Sequence, residues 1–444
     1  MSDGTQAGSH PSECDVVIIG AGVIGAAIAF ELSKKGYRTV NLDKLPASGY
    51  GPTSNSCAIV RAHYSSLEGV AMAYEGFFYW KDWPGYLGVT DEAGTAQYMN
   101  SGTILLKSAT GHHDKVLRHY RELGIPYEEW DLAELRRRMP IYDTHAFWPP
   151  KRPDDERFWV APDTELDGAI YTPGSGYVND PQLATHNLQR AAEVHGGRFI
   201  FRATVTEIRR SGNRVLGVTL DDGSTIDAPI VVNVAGPHSF VINRMAGVED
   251  GMKVKTRALR HEVHHVPAPE GFDFEADGCH TSDGDVGIYF RPDTGNHILI
   301  GSEDPECDTR VWVDDPDDYD RTITEAQWEA QVYRLARRIP TLGIPNQRKG
   351  IVDLYDVSDD WIPIYDRSDL DGFYMAVGTS GNQFKNAPVV GHMMAELIDA
   401  VEHGHDHDSE PVTVKARYTG AMLDAGFYSR LREINPDSSF SVNG

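Results

Sequence analysis

The chain has 444 residues, 40% of them hydrophobic and 24% charged, with a formal net charge of −25. That length asks for two or three structural units, and the acidic balance argues against nucleic acid and anionic membranes, which reward basic faces. Four separated cysteines, Cys14, Cys57, Cys279 and Cys307, form no CxxC pair, which fits free thiols in a reducing, cytoplasmic setting better than a disulfide framework or zinc site.

The opening "MSDGTQAGSHPSECD" carries no Lys or Arg, so no signal peptide is expected, and the apolar run 16–30 is too short and glycine-rich for a membrane span. Residues 14–44 spell strand, glycine turn, helix, strand. Val16–Ile19 is β-branched throughout, as a covered parallel strand should be. Gly20, Gly22 and Gly25 then fall at GxGxxG spacing. The first permits the turn, the second lets backbone approach a pyrophosphate, and the third allows close helix–strand packing. The phosphates would rest at Val23 and Ile24, on the N-terminus of a helix running to Lys35. "TVNLD" ends in Asp43, followed by Lys44, placing an acid where a ribose hydroxyl would reach it.

After the loop 46–65 comes an aromatic amphipathic stretch, "AMAYEGFFYWKDW". A strand is expected over 97–108 and a helix at "GHHDKVLRHYRELG", before a polar, proline-rich stretch near 149–163. Residues 174–201 spell loop, capped helix and strand, and 204–236 carry hairpin signals at "SGN" and "DDG" before the buried run "IVVNVAG". From 257 to 304 strand candidates alternate with turns, as in an antiparallel sheet. A helix at 324–340 ends at Pro340, and "FYMAV" leads into the glycine-rich loop "GTSGNQFKNAP" and a last helix. The segment 403–410, "HGHDHDSE", is expected to mark the end of the core. With "VDDPDDYD" it is read as solvated acidic surface, since neither has the spacing of a metal site.

α/β character therefore recurs in three separated blocks. The expected fold is α/β plus an antiparallel sheet: a discontinuous Rossmann-like dinucleotide domain (14–94, 166–250 and 351–402), an interleaved substrate domain (95–165 and 251–350), and a C-terminal tail (403–444). Large flavoproteins divide their chains in this way.

Five ordered stretches carry a family likeness: the glycine fingerprint, "YTPGSGYVNDPQLATHNLQRAAEVHGG", "VVNVAGPHS", "GIYFRPDTGNHILIGSED" and "GTSGNQFKNAPVVGHMMAELI". Together they resemble the FAD-dependent D-amino-acid oxidase superfamily, in particular its glycine oxidase and sarcosine oxidase-like branch, over about residues 14–402. The resemblance implies that Gly20–Gly25 hold the FAD pyrophosphate. It places "GPTSNS", with Thr53, Ser54, Asn55 and Ser56, around the pyrophosphate and ribityl chain. It also sets Val205 against the adenine, and Ala235 and Gly236 beneath the cofactor. Gly378, Ser380, Gly381, Asn382, Gln383 and Phe384 would approach the flavin ring, where N–H groups and a helix start favour negative charge.

For the chemistry, the resemblance matches Arg61 to an arginine that grips the substrate carboxylate and Lys385 to a lysine that helps it. Tyr289 and Arg291, on the strand "GIYFRP", are expected to cover the flavin face; Glu303 and His261 are weaker candidates. Three departures stand out. A second family arginine is Ala58 here. The covalent-attachment positions, at Asp353 and near Ser56, hold no Cys or His, so FAD is expected to be noncovalent. An oxygen-activating lysine is replaced near Leu299. The implied activity is oxidation of a C–N bond in a small amine or amino acid, passing electrons to oxygen or another acceptor. A 2-hydroxy-acid dehydrogenase or a non-catalytic FAD-binding subunit are the alternatives.

Overall fold

The computed structural model describes residues 11–444. Its six-stranded sheet runs in the order Ile364–Arg367, Phe373–Val377, Ile230–Asn233, Val16–Ile19, Thr39–Asp43, Arg198–Phe201. All neighbours pair in parallel except Ile364–Arg367, which is antiparallel to its neighbour. Val16–Ile19 is buried on both faces, and alternation sends Val16 and Ile18 into one apolar cluster and Val17 and Ile19 into another.

Helix Val23–Lys34 follows the glycine turn and lies against helices Pro181–Val194 and Ala387–Glu402. Only glycine suits position 25, because an added Cβ would collide with the carbonyl of Gly20. The sheet thus draws its strands from all three of the expected α/β blocks.

A second, nine-stranded sheet is almost wholly antiparallel, and its strand Thr256–Pro267 is flanked by His297–Ser302, Val311–Val313 and Gly350–Ser358. Helix Glu325–Arg338 packs Trp328, Val332 and Leu335 onto Ile288, Phe290, Ile298 and Ile300. The expected strand over 97–108 divides into Tyr98–Met99 and Thr103–Leu106, with Gly102 between them at φ +76°.

Three parts of the expected division are corrected. Ala169–Thr172 and Gly350–Ser358 belong to the large sheet, where they pair with Thr103–Leu106 and Thr256–Pro267, so the sheets exchange strands inside the blocks drawn from sequence. The expected tail is packed structure: a hairpin of Thr413–Lys415 and Met422–Asp424, with Val414, Leu423 and Tyr428 in the main apolar cluster. The histidine-rich stretch is not all solvated surface either. His407 is buried and its Nδ1 accepts from the Val412 N–H, while Asp408 pairs with the buried Arg430. Among the described residues, no helix is long and apolar enough to cross a membrane.

Arg338 shows how the large sheet is fastened to its flank. Fully buried, it donates from Nε to Asp283 (2.7 Å), from Nη2 to Asp285 (3.0 Å), and from Nη1 to the carbonyls of Asp143 and His145. Arg338→Ala would strand two buried carboxylates, and we expect a loss of about 3–5 kcal/mol in urea unfolding.

Candidate active site

A cavity of about 600 Å³ is lined from both sheets and runs from Asp43 and Val205 to Arg61 and Lys385. At its first end, helix Val23–Lys34 begins at Gly22 with no side-chain cap and no acid in its first turn. Gly20, Gly22, Val23, Ile24 and Gly25 all line the wall. A helix start so exposed presents free N–H groups and a positive dipole end to an anion. Thr53 takes one of them, its Oγ1 accepting from the Val23 N–H at 3.2 Å.

Asp43 is fixed by the turn it serves: its carboxylate accepts from the N–H groups of Ala21 (2.8 Å) and Leu45 (2.9 Å). Burial raises its pKa despite those bonds. Lys44 spans this end of the cavity, bonding His238 (2.8 Å) and Asp317. Asn55 donates to Asp353 at 2.6 Å, and Ser56 Oγ accepts from the Ala58 N–H at 3.0 Å. Val205, Ala235 and Gly236 also line the wall.

The opposite end is built by the loop after Phe373–Val377. Gly381, Asn382, Gln383, Phe384 and Lys385 line the cavity. Gly381 has φ +69°, and a Cβ there would enter the Tyr355 ring, so the chain passes the aromatic wall only as glycine. The Asn382 Nδ2 is buried with no acceptor among the described residues. An uncapped helix start, a fixed carboxylate and a glycine-bared loop along one cavity fit FAD, with phosphates, ribose and flavin ring in that order.

Four sequence candidates do not reach the wall. Ser54 turns its hydroxyl back to the Gly51 carbonyl (2.9 Å). Gly378 and Ser380 shape the loop from behind: the Gly378 N–H donates to Asp356 (2.6 Å) and Ser380 Oγ to the Gly378 carbonyl (3.0 Å). Arg291 shares a strand face with Tyr289, as alternation requires. Its guanidinium, however, is spent on the Cys57 carbonyl (2.7 Å), the Pro292 carbonyl (2.5 Å) and Asp293 (3.1 Å), above the ring of Tyr177. It supports the wall that Tyr289 forms.

Arg61 and Lys385 do face the cavity, and both are buried, at 6% and 3% exposure. Arg61 donates to the Val442 carbonyl (2.6 Å) and the His63 carbonyl; Lys385 donates to the Asn382 carbonyl (2.7 Å). The ring of Tyr64 lies 4.8 Å from one and 4.9 Å from the other. Neither cation has an ion pair among the described residues. Burial first, and Arg61 second, push the Lys385 pKa well below that of a free lysine. Burial, with the same two cations beside it, also holds His280 neutral.

The sequence reading passed over His280, Ser282, Tyr355, Val442 and Asn443, which also form this end. Tyr355 lies two residues beyond Asp353 on one strand, so period-two alternation would have exposed it. Nothing in "SVNG" signalled that the chain's last residues form a cavity wall.

The sequence model of the DAO family, FAD dependent oxidoreductases, matches residues 15–397. The chain belongs to that family. It is 25% identical to glycine oxidase of Geobacillus kaustophilus over 412 residues, 88% of this chain and 94% of that protein. It is also 25% identical to the sarcosine oxidase subunit beta of Rhizobium meliloti, over 86% of this chain and 84% of the relative. Among solved structures, L-proline dehydrogenase from P. horikoshii shares the fold at TM-score 0.73 and 20% identity, over 95% of this chain and 98% of that one. The chain is therefore an FAD-dependent oxidoreductase, and the cavity is where its cofactor fits.

Replacing Asp43 tests that fit. Asp43→Ala should weaken FAD binding to the apoprotein roughly ten- to a hundredfold, the worth of one charged hydrogen bond, as read by quenching of flavin fluorescence. The helix-start residues are intact in that variant, so binding should persist.

Proposed function

We propose that this FAD-dependent oxidoreductase oxidises a C–N bond in a small amino acid or N-alkyl amino acid. One observation carries the reading: Arg61 and Lys385 are buried side by side at the cavity wall, with no carboxylate in ion-pair reach among the described residues. Other buried arginines of this chain are paired: Arg334 with Asp308 (2.6 Å), Arg338 with Asp283, Arg430 with Asp366 (3.1 Å). Leaving a buried charge unpaired is costly, and a substrate carboxylate supplies the missing anion. The likeness to glycine oxidase and to sarcosine oxidase subunit beta supports an amine as the other end of the substrate.

On this reading Arg61 offers planar, bidentate donors and Lys385 a point charge. Holding the carboxylate fixes the rest of a small substrate against the wall of Tyr289 and Tyr355, which is catalysis by positioning. Bound FAD supplies an acceptor for the hydride that leaves the carbon next to nitrogen. The imine product is then hydrolysed by water. FAD is held without a covalent bond, since Asp353 and Ser56 stand where attachment would need Cys or His. Leu299 packs against the apolar cluster of Cys57, Tyr289 and Trp361, so no lysine stands there to assist oxygen. Electrons leave to oxygen or another acceptor.

The test is anaerobic flavin bleaching by matched sets: amino acids, their N-methyl derivatives and the corresponding 2-hydroxy acids. The amine members should bleach the flavin and the hydroxy acids should not. Bleaching by hydroxy acids alone would assign a 2-hydroxy-acid dehydrogenase, and no bleaching by any set a non-catalytic FAD-binding subunit.

A further inference from the structure

The end of the cavity that holds Arg61 and Lys385 also holds Glu303, a carboxyl group with no ion pair among the described residues. Glu303 follows the strand His297–Ser302, is 9% exposed and lines the cavity with His280, Ser282 and Asn443. Its backbone is pinned, the N–H donating to the Gly287 carbonyl at 3.1 Å. Its Oε1 accepts from the Ser282 hydroxyl, and Oε2 lies beside Gly284, where an added Cβ would stand 3.4 Å away.

We propose that Glu303 receives the amino group of the substrate and takes the proton that its ammonium must lose before hydride can leave the neighbouring carbon. The assignment rests on the amino-acid reading above. In the step, one N–H bond of the ammonium breaks, its electron pair stays on nitrogen, and the proton forms an O–H bond on the Glu303 carboxylate. The products are a neutral amine and a neutral carboxylic acid, so charge is conserved.

Charge distribution in the cavity selects Glu303 over its neighbours. His280 lies 3.2 Å from Thr103 Oγ1 and faces Arg61 and Lys385, so protonating it would create a third buried cation beside two others. His261 stacks on Tyr355 at 4.0 Å and is paired with Asp304 at 3.1 Å. Tyr289 is held by burial far above its ordinary pKa and cannot accept a proton while neutral. Of these four, Glu303 loses a charge on accepting one; the cavity-lining carboxylates Asp356 and Asp353 already accept from the Gly378 N–H (2.6 Å) and from Asn55 (2.6 Å).

Its own titration suits the task. Burial raises it most, Asp283 adds to the rise, and Ser282, Arg61 and Asn443 oppose it, leaving a pKa of about 7. The ionised form that accepts the proton therefore gains as pH rises through about 7, and a general base works best when its pKa lies near the operating pH.

The experiment is rapid-mixing flavin reduction, without air, by the best amine substrate of the wild-type holoenzyme, compared with Glu303→Gln across pH. At pH near 7 the variant should reduce flavin on the order of a hundredfold more slowly. The deficit should close towards high pH, where the amine arrives already neutral. Methylthioacetate, a carboxylate with sulfur in place of the amine, should perturb the flavin spectrum of the variant with a Kd no weaker than wild type. That result shows an intact site and removal of one negative charge. Ser282→Ala provides the second variant: without the hydroxyl the Glu303 pKa rises further, so the acidic limb should move to higher pH. Wild-type rate and pH profile in Glu303→Gln would overturn the role of Glu303 and leave the amine reading standing. A wild-type flavin that no amine reduces would overturn both.

Discussion

Two positive charges share an apolar cavity wall, and much of the molecule is arranged around that constraint. Removing a single unpaired charge from water costs several kcal/mol. Arg61 and Lys385 are both buried and donate to backbone carbonyls beside the ring of Tyr64, with no ion pair among the described residues. Burial first, and Arg61 second, lower the Lys385 pKa well below its ordinary value. A substrate carboxylate is the anion proposed for this place. On the proposed reading it would supply the counter-charge that Arg61 and Lys385 lack among the described residues.

The rest of the fold holds that end of the cavity at a fixed distance from the dinucleotide end. The parallel sheet places the glycine turn and Asp43 at adjacent strand ends, while the strand Phe373–Val377 of the same sheet delivers the loop that carries Lys385. The large sheet brings Tyr289, Tyr355 and Glu303 to the facing wall. The C-terminal segment closes the arrangement: Val442 offers its carbonyl to Arg61 and its side chain to the cluster of Cys57 and Tyr289, and the Asn443 carbonyl accepts from the Ser65 N–H at 3.1 Å. One end of the cavity is therefore built from backbone geometry common to dinucleotide folds, and the other from side chains in distant parts of the chain.

This difference decides what could be read in advance. The dinucleotide end is local in sequence: Gly20, Gly22, Gly25 and Asp43 lie within 14–44, and each follows from the turn and strand that require it. The buried runs 16–19, 230–233 and 373–377 likewise announce covered parallel strands. The end at Arg61 and Lys385 is not local. Ser282 reaches it through an antiparallel pairing with Tyr289, His280 through a parallel pairing with Thr103, and Glu303 from just past the strand His297–Ser302, a register that hydrophobic pattern alone does not set. The final residues reach it through contacts across nearly four hundred positions. Arg291 shows the converse error, since a correct face assignment says nothing about where along the strand the cavity ends. Ala169–Thr172 and Gly350–Ser358 show the same limit at domain scale: their α/β-like surroundings hid strands that cross into the large sheet.

The central claim is that the paired cations await a carboxylate, and equilibrium binding tests it without any turnover. Methylthioacetate and its neutral amide should be titrated into the holoenzyme and followed by the flavin spectrum, in wild type and in Arg61→Ala. The account predicts saturable binding of the acid, with the amide at least about tenfold weaker, the lower bound for loss of a charged hydrogen bond, and discrimination largely abolished in the variant. Equal binding of acid and amide to wild type, or undiminished discrimination in Arg61→Ala, would contradict it.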